Sequence, residues 1–280
     1  NYAYLGPVFR LRPDEPGEFR QAGVEALGRT DRVAADADVL KLAFAAAGLL
    51  GVKKPRVRIG DSGLFDAVLD ALDLNAPWRT RLARAFGDTK RLRSFIERAN
   101  GKTQHPGAPL AGADRARMRA AVEKQFAATG LGTAGGRTPA EIVERFAAKQ
   151  TLALGIGARA AAVLSEFLSI AGTPGEALAA LRALATREQL DLAAATERFA
   201  KRTAAFAAHG IDPDSIAFAA DFGRRLDYYT GFVFEFHAGK AAKPLIGGGR
   251  YDRMMAIMSG GESVPAVGFS IWLDRIGEKP

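Results

Sequence analysis

The sequence predicts an α+β protein with sheet-forming segments at its two ends and a helical insertion between them. Three observations carry that reading. Strand-like runs rich in Tyr, Val, Leu and Phe stand at 4–10 and 18–25, and again from 222 to 235 ahead of the glycines at 247–249. Residues 265–275 read as a buried strand passing into a helix. From about Ala76 to His209 the composition shifts to Ala, Leu and Arg at helical spacing, punctuated by capping signals. The expected organisation is a first part of the core over 1–75, a helical insertion over 76–209 and the remainder of the core over 210–280.

The chain opens at Asn1 without an initiator methionine and already in a strand pattern that runs to Phe9, so a further segment is expected upstream. Tyr4 to Arg10 reads as strand, Arg12 to Gly17 as a charged loop with two prolines, and Glu18 to Glu25 as the returning strand. Alternation along the return puts Phe19, Gln21, Gly23 and Glu25 on one face. Gln21 and Glu25 then look into one space, where the amide can hold an ammonium and the carboxylate can accept an imidazole N–H. Taken alone, the segment reads rather as an edge hairpin with a solvated polar face.

Asp31 to Leu50 reads as an amphipathic helix with acidic residues in its first turns, and Arg56 to Gly60 as a short strand. Asp61 or Ser62 caps a helix through Leu64, Val68 and Leu72. In the insertion, Thr138-Pro139-Ala140-Glu141 and Thr173-Pro174-Gly175-Glu176 both fit a capping box with proline in the first turn. Gly101 to Gly112 and Thr129 to Arg137 read as flexible connections. Gly155-Ile156-Gly157-Ala158-Arg159-Ala160 loosely matches a dinucleotide fingerprint. The residues before it are helical, however, and Glu176 is a cap residue, so the βαβ context is missing and the glycines read as a helix break or a close helix crossing.

The densest chemistry lies in Phe222 to Glu235, followed by Gly247-Gly248-Gly249-Arg250-Tyr251-Asp252. The first run reads as strand, yet it carries a guanidinium, a carboxylate and two phenols. Arg224 can fork onto a carboxylate, and strand alternation sends Tyr228 and Tyr229 to opposite faces, one toward a ligand. The glycines allow close backbone approach, with Tyr251 as a lid. This wall suits a small ligand bearing a carboxylate. Met254 to Met258 continues as helix, and the four methionines read as ordinary core.

At 280 residues and 48% hydrophobic, the chain can bury a large core. A net charge of +8 raises the question of nucleic acid. The arginines are spread along helical patterns such as Trp78 to Arg98, with no lysine run and no interleaved aromatics, which reads as solvated helix faces. No stretch approaches the roughly 18 apolar residues of a membrane span, and no signal peptide is visible. With no cysteine there are no disulfides or thiolate metal sites, and His105, His209 and His237 lack ligand spacing. A cytoplasmic protein with no metal and no cofactor is expected.

Residues 4–25, 222–252 and 265–275 together resemble motif two, the two histidine-specific motifs and motif three of the histidyl-tRNA synthetase catalytic domain, in that order. Arg-x-Leu-Asp-Tyr-Tyr followed by Gly-Gly-Arg-Tyr-Asp is specific to that family. The resemblance implies a class II aminoacyl-tRNA synthetase-like fold, a mostly antiparallel sheet flanked by helices and normally dimeric. By resemblance Gln21 matches the group at the histidine amino end, Glu25 and Tyr229 the groups reading the imidazole, Arg224 the arginine at the carboxylate and Tyr251 the tyrosine near the ring, with Tyr228 beside them.

The departures fall on ATP and tRNA. Where the synthetase loop has a phosphate-binding arginine, this shorter loop has Glu18, which turns attraction into repulsion. At the small motif-three position stands Trp272, an indole expected to fill the nucleotide's space, followed by Asp274 and Arg275. No room follows for an anticodon-binding domain. Arg10, Glu18, Trp272 and Arg275 thus read as a vestigial nucleotide site, while the histidine positions persist. That pattern is similar to the regulatory subunits of ATP phosphoribosyltransferase, the paralogues that partner the short catalytic subunit. The resemblance implies no catalysis on this chain, L-histidine as feedback effector, and a homodimer within a hetero-oligomer, without nucleic acid or membrane. A truncated or divergent histidyl-tRNA synthetase, with Arg10, Arg224 and Arg275 as its phosphate and catalytic arginines, is the alternative.

Overall fold

The computed structural model describes residues 1–11, 16–102, 115–129, 136–224 and 228–276. Strands β1 (Tyr2–Phe9) and β2 (Glu18–Leu27) pair as an antiparallel hairpin with Tyr4 opposite Gly23. Helix α1 (Arg32–Leu49) leads to β3 (Arg56–Asp61) and then to α2 (Ser62–Ala71), α3 (Ala76–Ala83) and α4 (Thr89–Glu97). After these come α5 (Arg115–Thr129), α6 (Pro139–Ala153), α7 (Ala158–Phe167), β4 (Ala171–Gly172), α8 (Pro174–Glu188) and α9 (Ala193–Ala208). The chain returns to the sheet with β5 (Ile216–Ala219), β6 (Phe232–His237) and β7 (Ile246–Arg250), then α10 (Met254–Ser259) and β8 (Ala266–Trp272). Among the described residues these strands form one eight-stranded sheet, ordered β1-β2-β8-β7-β6-β3-β5-β4. Its one parallel pair is β3 with β5; the rest are antiparallel, as a class II-like sheet predicts.

Register gives the sheet two unlike faces. Phe232, Phe234 and Phe236 of β6 alternate onto one side, all fully buried, with ring centroids 5.3 Å and 5.8 Å apart. Helices cover that side: Phe44 of α1 meets Phe236 at 4.7 Å, and Phe206 of α9 meets Phe232 at 5.4 Å. The same hydrophobic cluster takes in residues from α3, α4, α7 and α8. The other face carries Gln21, Gly23, Glu25, Gly268, Ser270, Gly247 and Glu235, which pair with one another across β2, β8, β7 and β6. Every residue of the proposed ligand wall that lies in a strand is on this polar face.

Charge is buried beneath the apolar face too, fully paired. Arg202 of α9 donates to Asp36 of α1 at 2.9 Å and to Asp61 of β3 at 2.5 Å. Arg250 of β7 donates to Asp36 at 2.6 Å and to Asp252 at 2.8 Å. These bonds tie helix α9 to the strand that leads into Tyr251.

Several local expectations change. Of Phe222–Glu235, only the part from Phe232 is strand; Phe222–Arg224 and Tyr228–Gly231 are irregular, and Arg225, Leu226 and Asp227 lie outside the described residues. Next to the strand, Ser62 N–H still donates to the Gly231 carbonyl at 3.0 Å in register with β3, while Thr230 N–H donates to the Arg250 carbonyl at 2.8 Å, out of the β6–β7 register. Helix α1 has no acidic residue in its first turn, and Asp31 makes no cap bond because Arg29 holds its carboxylate. Ile257 and Met258 are exposed rather than core. Asp61 caps α2 through Gly63 N–H, and both capping boxes form. Gly155 is a close crossing: its φ is +72°, and Ile156 N–H reaches the Ala99 carbonyl at 3.0 Å. Residues 12–15, and most of the two expected connections, lie outside the described residues. Among the described residues no helix is long and apolar enough to cross a membrane.

Candidate functional site

On the polar face a cavity of about 310 Å³ is walled by Tyr4, Gln21, Glu25, Tyr228, Tyr229 and Tyr251, with Arg10 at its edge and Ser270 and Gly247 on its floor. The strands make room for these side chains by omitting their own. A Cβ at Gly268 would overlap the Glu25 carboxylate, and one at Gly23 would overlap the Tyr4 ring. Glycine inside a strand weakens it, so glycines at both positions mark a face shaped around side chains.

Glu25 is the centre of this cavity. The Tyr251 hydroxyl donates to its Oε2. Burial pushes the Glu25 carboxyl above its ordinary range, against that hydrogen bond, which pulls it down. Burial likewise raises the phenols: Tyr4 is pushed up to about 12, with Glu25 adding to the effect. Tyr229 and Tyr251 are raised further, so all three stay protonated donors at neutral pH. Gln21 is 4% exposed, and no described residue hydrogen-bonds its amide. The amide opens on the cavity, where a ligand can meet it.

Two expectations are corrected. Tyr228 and Tyr229 do not face opposite ways; with no strand to alternate along, their rings lie 4.7 Å apart on the same cavity. Tyr251 is no lid: at 6% exposure it is a buried wall, held by Glu25 and 5.8 Å from the Tyr228 ring.

Arg224 sits beside the others, its guanidinium 5.9 Å from the Tyr229 ring, but lines a different cavity. It lies across Gly247, where a Cβ would overlap its guanidinium, and lines a neighbouring cavity of about 450 Å³ with Arg10, Arg58, Asp221, Glu235 and Trp272. Its Nη1 donates to Glu235 at 3.2 Å, and its Nε is buried without a partner among the described residues. Trp272, 5% exposed, forms a wall of this second cavity between the guanidinium groups of Arg224 at 5.5 Å and Arg275 at 4.6 Å. Arg10 borders both cavities, Arg275 stacks behind the indole, and Glu18 is exposed and lines neither. The sequence reading missed Tyr4 and Ser270; the signal for Tyr4 was Gly23, its cross-strand partner on the Gln21 and Glu25 face.

This sheet, with a polar site face crossed by glycines, defines a class of protein. A family profile described as histidyl-tRNA synthetase matches residues 1–134 and 137–276. A solved structure from Bacillus halodurans, described as an ATP phosphoribosyltransferase regulatory subunit/histidyl-tRNA synthetase, superposes with a TM-score of 0.60 at 22% identity, over 98% of this chain and 56% of that one. The fold is therefore class II, histidyl-tRNA synthetase-like. Within that class, the ATP phosphoribosyltransferase regulatory subunit of Sinorhizobium medicae is 41% identical over 286 residues, covering 98% of this chain and 76% of the relative. The protein of the same name from Brucella anthropi is 40% identical over 295 residues, covering 99% and 78%. The chain belongs to the family of ATP phosphoribosyltransferase regulatory subunits and spans about three quarters of the length of these relatives.

Proposed function

We propose that this regulatory subunit binds L-histidine in the tyrosine-walled cavity and transmits feedback inhibition to a short-form catalytic subunit that needs it for full activity. The observation that carries the reading is the pair Gln21 and Glu25, a free amide and a carboxylate on one face of one small cavity. Gln21 meets the ammonium, and Glu25 and Tyr229 read the imidazole. The carboxylate is met from the arginine side, by Arg10 in the cavity and Arg224 beyond Gly247. The raised phenol of Tyr229 serves as a donor, the Tyr251 hydroxyl holds Glu25 in place, and Tyr228 packs between the two tyrosines.

A site with this many placed polar groups rejects analogues that leave one unpaired. Bound histidine then shifts the pose of this subunit against its partner, and the glycosyl-transfer chemistry stays on the partner. The exposed edge of β1, with Tyr2, Leu5 and Phe9 turned outward, supports a homodimer within the hetero-oligomer.

The test is reconstitution with the catalytic subunit. Glu25→Ala or Arg224→Ala is expected to abolish or strongly weaken inhibition by histidine while activation of the partner persists. Inhibition unchanged in both variants overturns the site. Histidine-dependent exchange of pyrophosphate into ATP by this chain alone overturns the non-catalytic role.

A further inference from the structure

A cavity of about 990 Å³ lies away from the sheet, between α3, α4 and α6. Arg81 and Arg84 at the end of α3, Arg91 near the start of α4, Arg137 ahead of α6, and Arg145 and Lys149 on α6 all line it. The remaining lining is neutral and includes Pro77, Ile142, Phe146 and Leu152. Among the described residues no carboxylate lines the cavity and none of the six cations makes a salt bridge, although Arg137 lies close enough to Glu141 to help the Thr138 cap bonds hold that carboxyl below its ordinary range. Arg29, Arg79, Arg187, Arg202 and Arg250, by contrast, each hold an Asp or Glu, whereas Arg20, Arg182 and Arg198 share with the cavity cations the lack of an ion pair to a described residue.

Solvated helix faces explain exposed arginines one at a time; here six cations, Arg81 half-buried and the other five exposed, border one cavity whose described lining holds no carboxylate. Like charges at i and i+4, as Arg145 and Lys149 are, weaken a helix. Phe95 gathers Arg81 at 4.2 Å, Arg91 at 5.3 Å and Arg98 at 5.1 Å about one ring, holding three guanidinium groups close together. Burial, with Arg98 and Arg91 nearby, pulls the Arg81 pKa below its ordinary value. An anion entering the cavity relieves this repulsion, and one with several negative charges relieves it most.

We propose that this cavity binds a small organic polyphosphate of the nucleoside di- or triphosphate class. Arg84, Arg145 and Lys149 contact the phosphates, and Phe146 and Ile142, one helical turn apart, support the organic body. Guanidinium forks suit phosphate oxygens, and the volume is that of a small-molecule site. RNA fits less well. Phe146 is the one aromatic among the lining residues, and Arg119 on the adjoining α5 is already paired with Glu123, so the free cations point into a cavity rather than along a strand path.

The experiment is fluorescence anisotropy with N-methylanthraniloyl-ADP on the full chain, with inorganic tripolyphosphate as competitor. Saturable binding, displaced by tripolyphosphate, is expected. Arg145→Ala and Lys149→Ala, both on the helix surface, should each weaken it at least about tenfold, with folding checked by circular dichroism. Absence of saturable binding overturns the proposal. So does loss of binding in Arg58→Ala with retention in the α6 variants, which moves the ligand to the Arg224 cavity. Binding of tripolyphosphate without ADP, or of an RNA duplex that neither displaces, also overturns it.

Discussion

Replacing Glu25 with Gln removes a charge while keeping the shape of the side chain and an oxygen that accepts the Tyr251 hydroxyl. Burial raises the carboxyl above its ordinary 4.5, so the folded protein holds this proton more tightly than the unfolded chain does. The corresponding stability is present below pH 4.5 and is lost as pH rises through the folded-state value, so ionised Glu25 destabilises the unliganded protein at neutral pH. Glu25→Gln should therefore melt above the wild type at pH 7, and the gap should close as pH falls toward 4.5. Histidine binding should move the other way. Losing a charged acceptor costs about 1.5–3 kcal/mol, a dissociation constant roughly 10- to 150-fold weaker. Scanning calorimetry across pH and titration calorimetry with L-histidine read the two effects separately. A gap in melting temperature that persists below pH 4.5 refutes the burial argument, and unchanged histidine affinity refutes the site.

Arg202→Ala leaves Asp61 without its buried cation and is expected to cost about 3–5 kcal/mol in urea unfolding; a cost below about 1 kcal/mol would show that the network is solvated. Tyr251→Phe removes the hydroxyl that lowers the Glu25 carboxyl, so the loss of histidine binding on acidification should begin at higher pH than in the wild type, as followed by titration calorimetry at a series of pH values. Thr173→Ala breaks the capping box of α8 and should cost about 1 kcal/mol, with histidine affinity unchanged because the helix lies by the opposite edge of the sheet.

The strand ends, both capping boxes and the Gln21–Glu25 face are all legible in the sequence, because each rests on a local period or a local hydrogen bond. What a period cannot convey is a backbone group bonding elsewhere. Tyr228 and Tyr229 sit in a segment of high strand propensity, yet the Thr230 N–H bond to the Arg250 carbonyl, right beside them, falls out of the β6–β7 register. Ordinary sequence cues also fail at β4, two residues long, and at the Asp36–Arg202–Arg250 network, whose members are 166 and 214 positions apart. The helical cavity was hidden for the same reason: Arg84 and Arg145 are ordinary surface residues until α3 and α6 are brought together.

The two sides of β7 show how the site can be told from the scaffold. On the helix side every buried charge is satisfied: Asp36 by two arginines, Asp61 by Arg202 and Gly63 N–H, Asp252 by Arg250 and by the Ala266 N–H. Such a network fixes geometry and leaves nothing over for a ligand. On the other side, among the described residues, the Gln21 amide has no hydrogen bond, Glu25 holds one from Tyr251 on a half-buried carboxylate, and Arg224 keeps a buried Nε unpaired. The unpaired Arg224 Nε and the burial of the Glu25 carboxylate cost stability that complete pairing, as on the helix side, would have avoided. The shared backbone explains why the two sides belong together. Arg250 anchors β7 from behind, so that Tyr251, the next residue, meets Glu25 in front, and a ligand that completes the front draws on a geometry already fixed by the back.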